Sequence, residues 1–220
     1  MSILQIRSIE DYCVPDLQGA NTKWTFILES PHNSEIELGY PAAGESGKIM
    51  SEVLLGTKQP IGQLLHEKNP IVAGYSVMNA SCIPLQNICY QESDLHQKME
   101  EISNARRHTK QGIVEAKMVV KRALDSSIGN RITQHLQRRL MRHLKLHPNG
   151  VFIVCGVVAQ SIFEVATSAE GWFHKARVIS LEGMKTTVFY ENHPSEQSGA
   201  QGSRWRDKEN MKPLLQLLGR

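Results

Sequence analysis

The chain has 220 residues, of which 40% are hydrophobic and 21% charged, with 16 Gly, 9 Pro and 4 Cys. Those proportions exclude collagen-like, low-complexity and disulfide-stapled proteins, and a chain this long buries roughly 70% of its unfolded surface without needing a metal. The formal charge of +3 conceals a segregation: residues 1–97 carry 5 basic and 11 acidic side chains (−6), residues 98–147 carry 12 and 4 (+8), and residues 148–220 carry 8 and 7 (+1).

No apolar run of signal-peptide length opens the chain, and no segment approaches the ~18 apolar residues of a membrane span. A cytoplasmic protein without membrane contact is therefore expected. A first strand is expected over 24–28, followed by a helix marked by Ile49, Val53 and Leu54 after the glycines at 44 and 47. A second strand is expected over 76–79. The charged segment from 86 to about 130 carries Arg106, Arg107, Lys110, Lys117, Lys121 and Arg122, read as one or two helices. Ile132, Leu136, Leu140 and Leu144 recur every fourth residue and form one stripe of a helix, with Arg138, Arg142 and Lys145 on a stripe beside it. That helix is expected to end at His147, before Pro148, Asn149 and Gly150. A strand over 151–155, a helix over 157–166, a strand over 186–190 and a terminal helix over 211–218 complete the series.

Strands that are near-continuous apolar runs are covered on both faces, and their alternation with helices predicts an α/β fold. The expected architecture has three layers, α/β/α, around a short central parallel sheet. It forms a single domain over 1–220, with a basic helical insertion around 86–147 packed against the sheet. The basic block fits a surface that meets a polyanion such as nucleic acid, or a solvated helical face; charge alone leaves both open.

Sheets of this kind bind ligands at the carboxyl ends of their strands. Just beyond the four strands stand Glu29, Ser30, Pro31 and His32; Asn79, Ala80 and Ser81; Gly156; and Glu191, Asn192, His193, Pro194 and Ser195. Gly44 to Lys48 looks like a phosphate-binding loop but fails as one: Ala42 stands where its first glycine would be, and Ile49 where it needs Ser or Thr. Cys13, Cys82, Cys89 and Cys155 show no C-x-x-C spacing, so no metal site is expected.

The order of Phe26-Ile-Leu-Glu-Ser-Pro-His32, Gly39-Tyr-Pro-Ala-Ala-Gly44 with Gly47, Val77-Met-Asn79, Val154-Cys-Gly156 with Ala159, and Asn192-His-Pro-Ser195 resembles the uracil-DNA glycosylase superfamily. The resemblance spans roughly 24–200, through short motifs. It implies a monofunctional DNA glycosylase that flips a pyrimidine out of the DNA and hydrolyses its N-glycosidic bond, leaving an abasic site, in repair or in defence against foreign DNA. Asn79 matches the residue that reads the base edge, and its amide offers both a donor and an acceptor. His193 matches the histidine that stabilises the departing base. The loop after it, with Ser195, Gln197 and Arg204, matches the segment that enters the DNA, and Arg138 and Arg142 would grip phosphates.

The sequence departs from the family at three places. Ser30 stands where relatives have Asp, Asn or Ala, and a neutral hydroxyl is a weak base. Glu29 is then the candidate to position water, with Glu35 and Glu37 behind it. His32 and Ala42 replace bulkier or differently shaped neighbours of the base, and with Pro31 and Gly44 they outline a pocket roomy enough for uracil or for a bulky modified cytosine such as phage DNA contains. Cys82 lies near a position that holds an iron-sulfur cluster in some relatives, but its companions are missing, so no cofactor is expected. No lysine stands at the strand ends, so no Schiff-base step is expected. The expected partner is DNA and the expected state a monomer. Two other functions stay open: a binding module of the same fold that has lost its base, and an esterase-like hydrolase with Ser30 as nucleophile, His193 as base and Glu29 as orienter. The latter lacks the G-x-S-x-G elbow, since Pro31 follows Ser30.

Overall fold

A computed structural model describes residues 9–90, 96–105, 112–195 and 205–220. In chain order the elements are β1 (Leu17–Gln18), β2 (Trp24–Leu28), α1 (Asn33–Leu38), α2 (Glu45–Leu55), α3 (Ile61–His66), β3 (Tyr75–Asn79), α4 (His96–Asn104), α5 (Ile113–Leu124), α6 (Ser127–Leu146), β4 (Val151–Cys155), α7 (Val157–Thr167), β5 (Arg177–Leu181), β6 (Met184–Glu191) and α8 (Lys208–Leu217). The six strands form one mixed sheet in the order β1-β3-β2-β4-β6-β5.

The four strands read from the sequence are the four central ones, and they run parallel. The sheet as a whole is not parallel, which corrects the expectation: β1 and β5 close its edges antiparallel. Both edges escape a search for apolar runs. β1 has two residues, and β5 alternates between buried Ile179 and Leu181 and exposed Val178 and Ser180.

Alternation along each central strand feeds two cores. Ile27, Met78, Phe152 and Val154 pack with α4, α5, α6 and α7, whereas Phe26, Leu28, Val77 and Ile153 pack with α2, α3 and α8. Every residue of β2 and β3 is buried, as strands covered on both sides require. The stripe of Leu136, Leu140 and Leu144 is fully buried on α6, and Arg138, Arg142 and Lys145 are exposed. Met99 and Ile102 of α4 and Val120 and Leu124 of α5 enter the same core, so the basic segment supplies much of one layer.

Helix starts differ from expectation where backbone packing sets them. α2 begins at Glu45, ahead of Gly47, and only glycine fits there: a Cβ would lie 1.9 Å from the Ala42 carbonyl oxygen. α8 begins three residues earlier than read, because the Asp207 side chain accepts from Glu209 N at 3.0 Å and caps it. α1 and α3 have six residues each, too few for a helical period to show in sequence. Among the described residues no helix is long and apolar enough to cross a membrane.

Candidate active site

A cavity of about 190 Å³ opens at the carboxyl ends of the parallel strands, lined by residues from β2, β3, the segment after β6, α1 and the start of α2. The sequence explains the convergence. β2 and β3 are in register with Leu28 opposite Asn79, and their pairing continues outward through Ala80 N to Leu28 O at 2.7 Å and Ser81 N to Glu29 O at 3.0 Å. Glu29 and Asn79 therefore leave the sheet at the same level.

Side-chain alternation then separates them. Asn79 follows Leu28 and turns toward the α2 layer. Glu29 turns the other way, where the Ser103 hydroxyl of α4 donates to its Oε1 at 3.4 Å. Glu29 is 9% exposed and lines the cavity, so α4, from the basic segment, helps to hold the carboxylate expected to position water. Ser30 lines the cavity as well.

Asn79 is 2% exposed; among the described residues its amide oxygen meets no donor, and its amide nitrogen has only the neighbouring Glu35 carboxylate to face. A buried polar group left in that state costs about 1–3 kcal/mol. The main chain at Asn79 is, by contrast, firmly fixed. Arg139 of α6 donates through Nη2 to the carbonyls of Asn79 at 2.7 Å and Ala80 at 2.9 Å, and through Nη1 to Asp16 at 2.6 Å. Arg139 lies one position from Arg138 on the helix and on a different face, and nothing in its sequence neighbourhood marks this role.

Glu35 stands beside Asn79. It is 8% exposed, accepts from His32 N at 2.8 Å and also accepts from Ala42 N. Burial pushes its carboxyl up to about 7, against the pull of the His32 and Ala42 amides and of the neighbouring Asn79 side chain. Ala42 has a left-handed backbone (φ 53°), a conformation that costs a residue with a Cβ and is held here by the bond to Glu35. Gly47 and Gly62 admit this loop: a Cβ on either would lie 1.9 Å from the carbonyl oxygen of Ala42 or Pro41 respectively. Glu35 entered the sequence reading as a backup carboxylate, and the structure places it in the cavity wall. Glu37 is exposed and outside the lining.

His193 sits on the segment that leaves β6. Its Nδ1 accepts from Ser195 N at 3.1 Å, so the neutral ring keeps its proton on Nε2. The platform beneath it is fixed from several directions. Gly156 N and the Gln160 side chain both donate to the Glu191 carbonyl at 2.9 Å, and Trp205 Nε1 donates to the Asn192 carbonyl at 2.8 Å. Trp205 is thus a core residue that also holds the histidine segment. Gly156 has φ 90°, and a Cβ there would lie 3.0 Å from the Cβ of His193, so this position needs glycine twice over.

His32, Ala42, Gly44 and Ser195 line the cavity, together with Ser34, Glu45, Ser46 and Gln86, which the sequence did not single out. Pro31 is buried and is not part of the lining. Arg138 and Arg142 do not reach the cavity either. They border a separate groove with Gln137, Met141, Lys145 and Glu182. Glu182 precedes β6 and His193 follows it, and eight strand residues span roughly 25 Å. Gln197 and Arg204 lie outside the described residues, as do Arg106, Arg107 and Lys110. Among the described residues no three His, Cys, Asp or Glu side chains gather as a metal site requires. No family model and no curated protein matches the chain.

Proposed function

We propose that the protein is a DNA glycosylase with the uracil-DNA glycosylase type of fold, acting on a flipped pyrimidine. The observation that carries this reading is the meeting in one cavity of three groups from three strand ends: a base-reading amide at Asn79, a carboxylate at Glu29 and an imidazole at His193 whose proton rests on Nε2.

Hydrolysis breaks the bond between C1′ of the sugar and the ring nitrogen of the base. The electron pair leaves with the base, and a water oxygen forms the new bond to C1′. His193 donates from Nε2 to the base as negative charge builds on it, a contribution of about 3 kcal/mol for one well-placed donor. Glu29 orients the water and receives its proton. Asn79 selects and holds the base, pre-set by Arg139 through the main chain. Ser195 and the first turn of α2, with Ser46, offer donors to the flanking phosphates.

The same histidine geometry counts against Ser30 as a nucleophile. A serine hydrolase needs the imidazole to accept the hydroxyl proton on one ring nitrogen while the other donates to an orienting carboxylate. Here Nδ1 is itself an acceptor.

The test is abasic-site formation under single-turnover conditions. His193→Ala and Asn79→Ala are each expected to slow it by about 100-fold or more, with duplex binding within about twofold of the parent. Parent-like cleavage by both variants contradicts the assignment.

A further inference from the structure

We infer that Glu35 and Asn79 form one reader, and that the base edge they fit is a 4-aminopyrimidine, cytosine or a substituted cytosine, in preference to uracil. This inference rests on the glycosylase reading above and names its substrate.

Two observations on different elements carry it. The first is the Asn79 amide, buried at the cavity wall beside Glu35, with an oxygen that meets no donor among the described residues and a nitrogen that keeps a hydrogen to spare. What sets Asn79 apart from buried polar side chains such as Ser51 and Tyr190 is that it faces a cavity a ligand can enter. The second is the carboxylate beside it. Glu35 takes one backbone N–H on each oxygen, from His32 and Ala42, and this fixes the plane of the carboxyl group. The carboxylate keeps further lone-pair directions, and at pH 8, where the base comparison below is made and Glu35 is mainly ionised, it has no hydrogen to give. Ala42, with only a methyl group, leaves the wall beside Glu35 open.

The hydrogen-bond codes of the two bases separate on this wall. Uracil presents a carbonyl, N3–H and a second carbonyl. An amide alone reads N3–H and O4, but a carboxylate next to O4 sets acceptor against acceptor. Cytosine presents a 4-amino group with two hydrogens beside an unprotonated N3. Asn79 Nδ2 donates to N3, Asn79 Oδ1 accepts one amino hydrogen, and Glu35 accepts the other. All three protein groups gain a partner, and no like pair is forced together. A site built around such groups rejects the analogue that lacks them far more strongly than a site built on shape alone.

The test compares DNA strands identical except for one central base: cytosine, 5-hydroxymethylcytosine, its glucosylated form, or uracil. Free base is measured by mass spectrometry in single-turnover reactions of the full chain. At least one cytosine-type base is expected to leave about tenfold faster than uracil or more. Glu35→Gln, which turns an acceptor into a donor, is expected to move the ratio of rates toward uracil, with melting checked alongside. Uracil leaving as fast as or faster than every cytosine-type base overturns the inference and leaves the glycosylase reading standing. Equal slowing of both bases by Glu35→Gln, with an unchanged ratio, assigns Glu35 to holding the Ala42 loop and also overturns it. Release of no base from any strand overturns the glycosylase reading itself.

Discussion

Two buried polar clusters in this protein behave in opposite ways. On the α5–α7 side, Glu164 is almost completely buried and is fully matched: Lys117 Nζ lies 2.6 Å from Oε1, and Lys121 Nζ 2.9 Å from Oε2. At the strand ends, Asn79 is equally buried, and among the described residues its amide oxygen meets no donor and its nitrogen only the Glu35 carboxylate. The first cluster closes on itself and serves the fold. The second opens on a cavity. The difference lies in the combination: burial alone does not mark a site, and neither does spare hydrogen-bonding capacity, which Ser51 and Tyr190 also keep, but at Asn79 both meet a cavity.

Breaking the closed cluster should have the largest effect on stability. Glu164→Ala strands Lys117, which is 17% exposed, without its partner, and should cost about 3 kcal/mol, or roughly 6–12 °C in melting temperature for a chain of this size. The base-release rate of the folded protein should stay at the parent value. A loss of activity without loss of stability would erase the contrast.

The next effect concerns pH, where the two sides of the sheet oppose each other. His143 of α6 is buried with Nε2 2.7 Å from Thr25 Oγ1, and burial, then the nearby His147, pull its pKa down to about 4. Between about pH 6.5 and 4 the unfolded histidine takes up a proton that the folded one refuses, so stability falls as pH drops, by up to about 3 kcal/mol. Glu35 does the reverse. With its carboxyl raised to about 7, the folded state keeps a proton that the unfolded state loses from about pH 4.5 upward, so stability falls as pH rises to 7. The two slopes offset each other in the parent. In Glu35→Gln, thermal melts across pH 4.5–6.5 should show stability rising with pH; a profile as flat as the parent's would remove Glu35 from the balance.

The smallest effect separates cost from use at Asn79. Replacing it with Leu removes a buried amide whose oxygen has no donor among the described residues, and should leave stability unchanged or raise it by about 1 kcal/mol, while base release collapses. A large destabilisation would mean that the amide serves the fold after all.

The central strands were legible because burial on both faces writes itself as an unbroken apolar run, and α6 was legible from its four-residue leucine spacing. β1, β5, α1 and α3 were not, being either too short or half exposed. That Asn79, Glu29 and His193 meet at one cavity could be expected because Asn79 ends β3, Glu29 follows β2 and His193 stands two residues past β6. Arg139 could not: it stands between exposed Arg138 and core Leu140 like any arginine of an amphipathic helix, and its work is done on main-chain carbonyls about sixty positions away. Glu35 was visible only as one acid among several, since its weight comes from the fold that buries it beside Asn79. Arg138 and Arg142, expected to grip phosphates, are exposed and border a separate groove, since a basic stripe records which face of a helix is solvated.

The central claim is that the open cluster holds a base for removal. The most direct measurement is mass spectrometry of the free bases liberated from DNA of several modification types, with His193→Ala run in parallel. Release of one pyrimidine species by the parent, lost in the variant, is the expected result. Binding of every DNA with no base released from any of them would contradict the account.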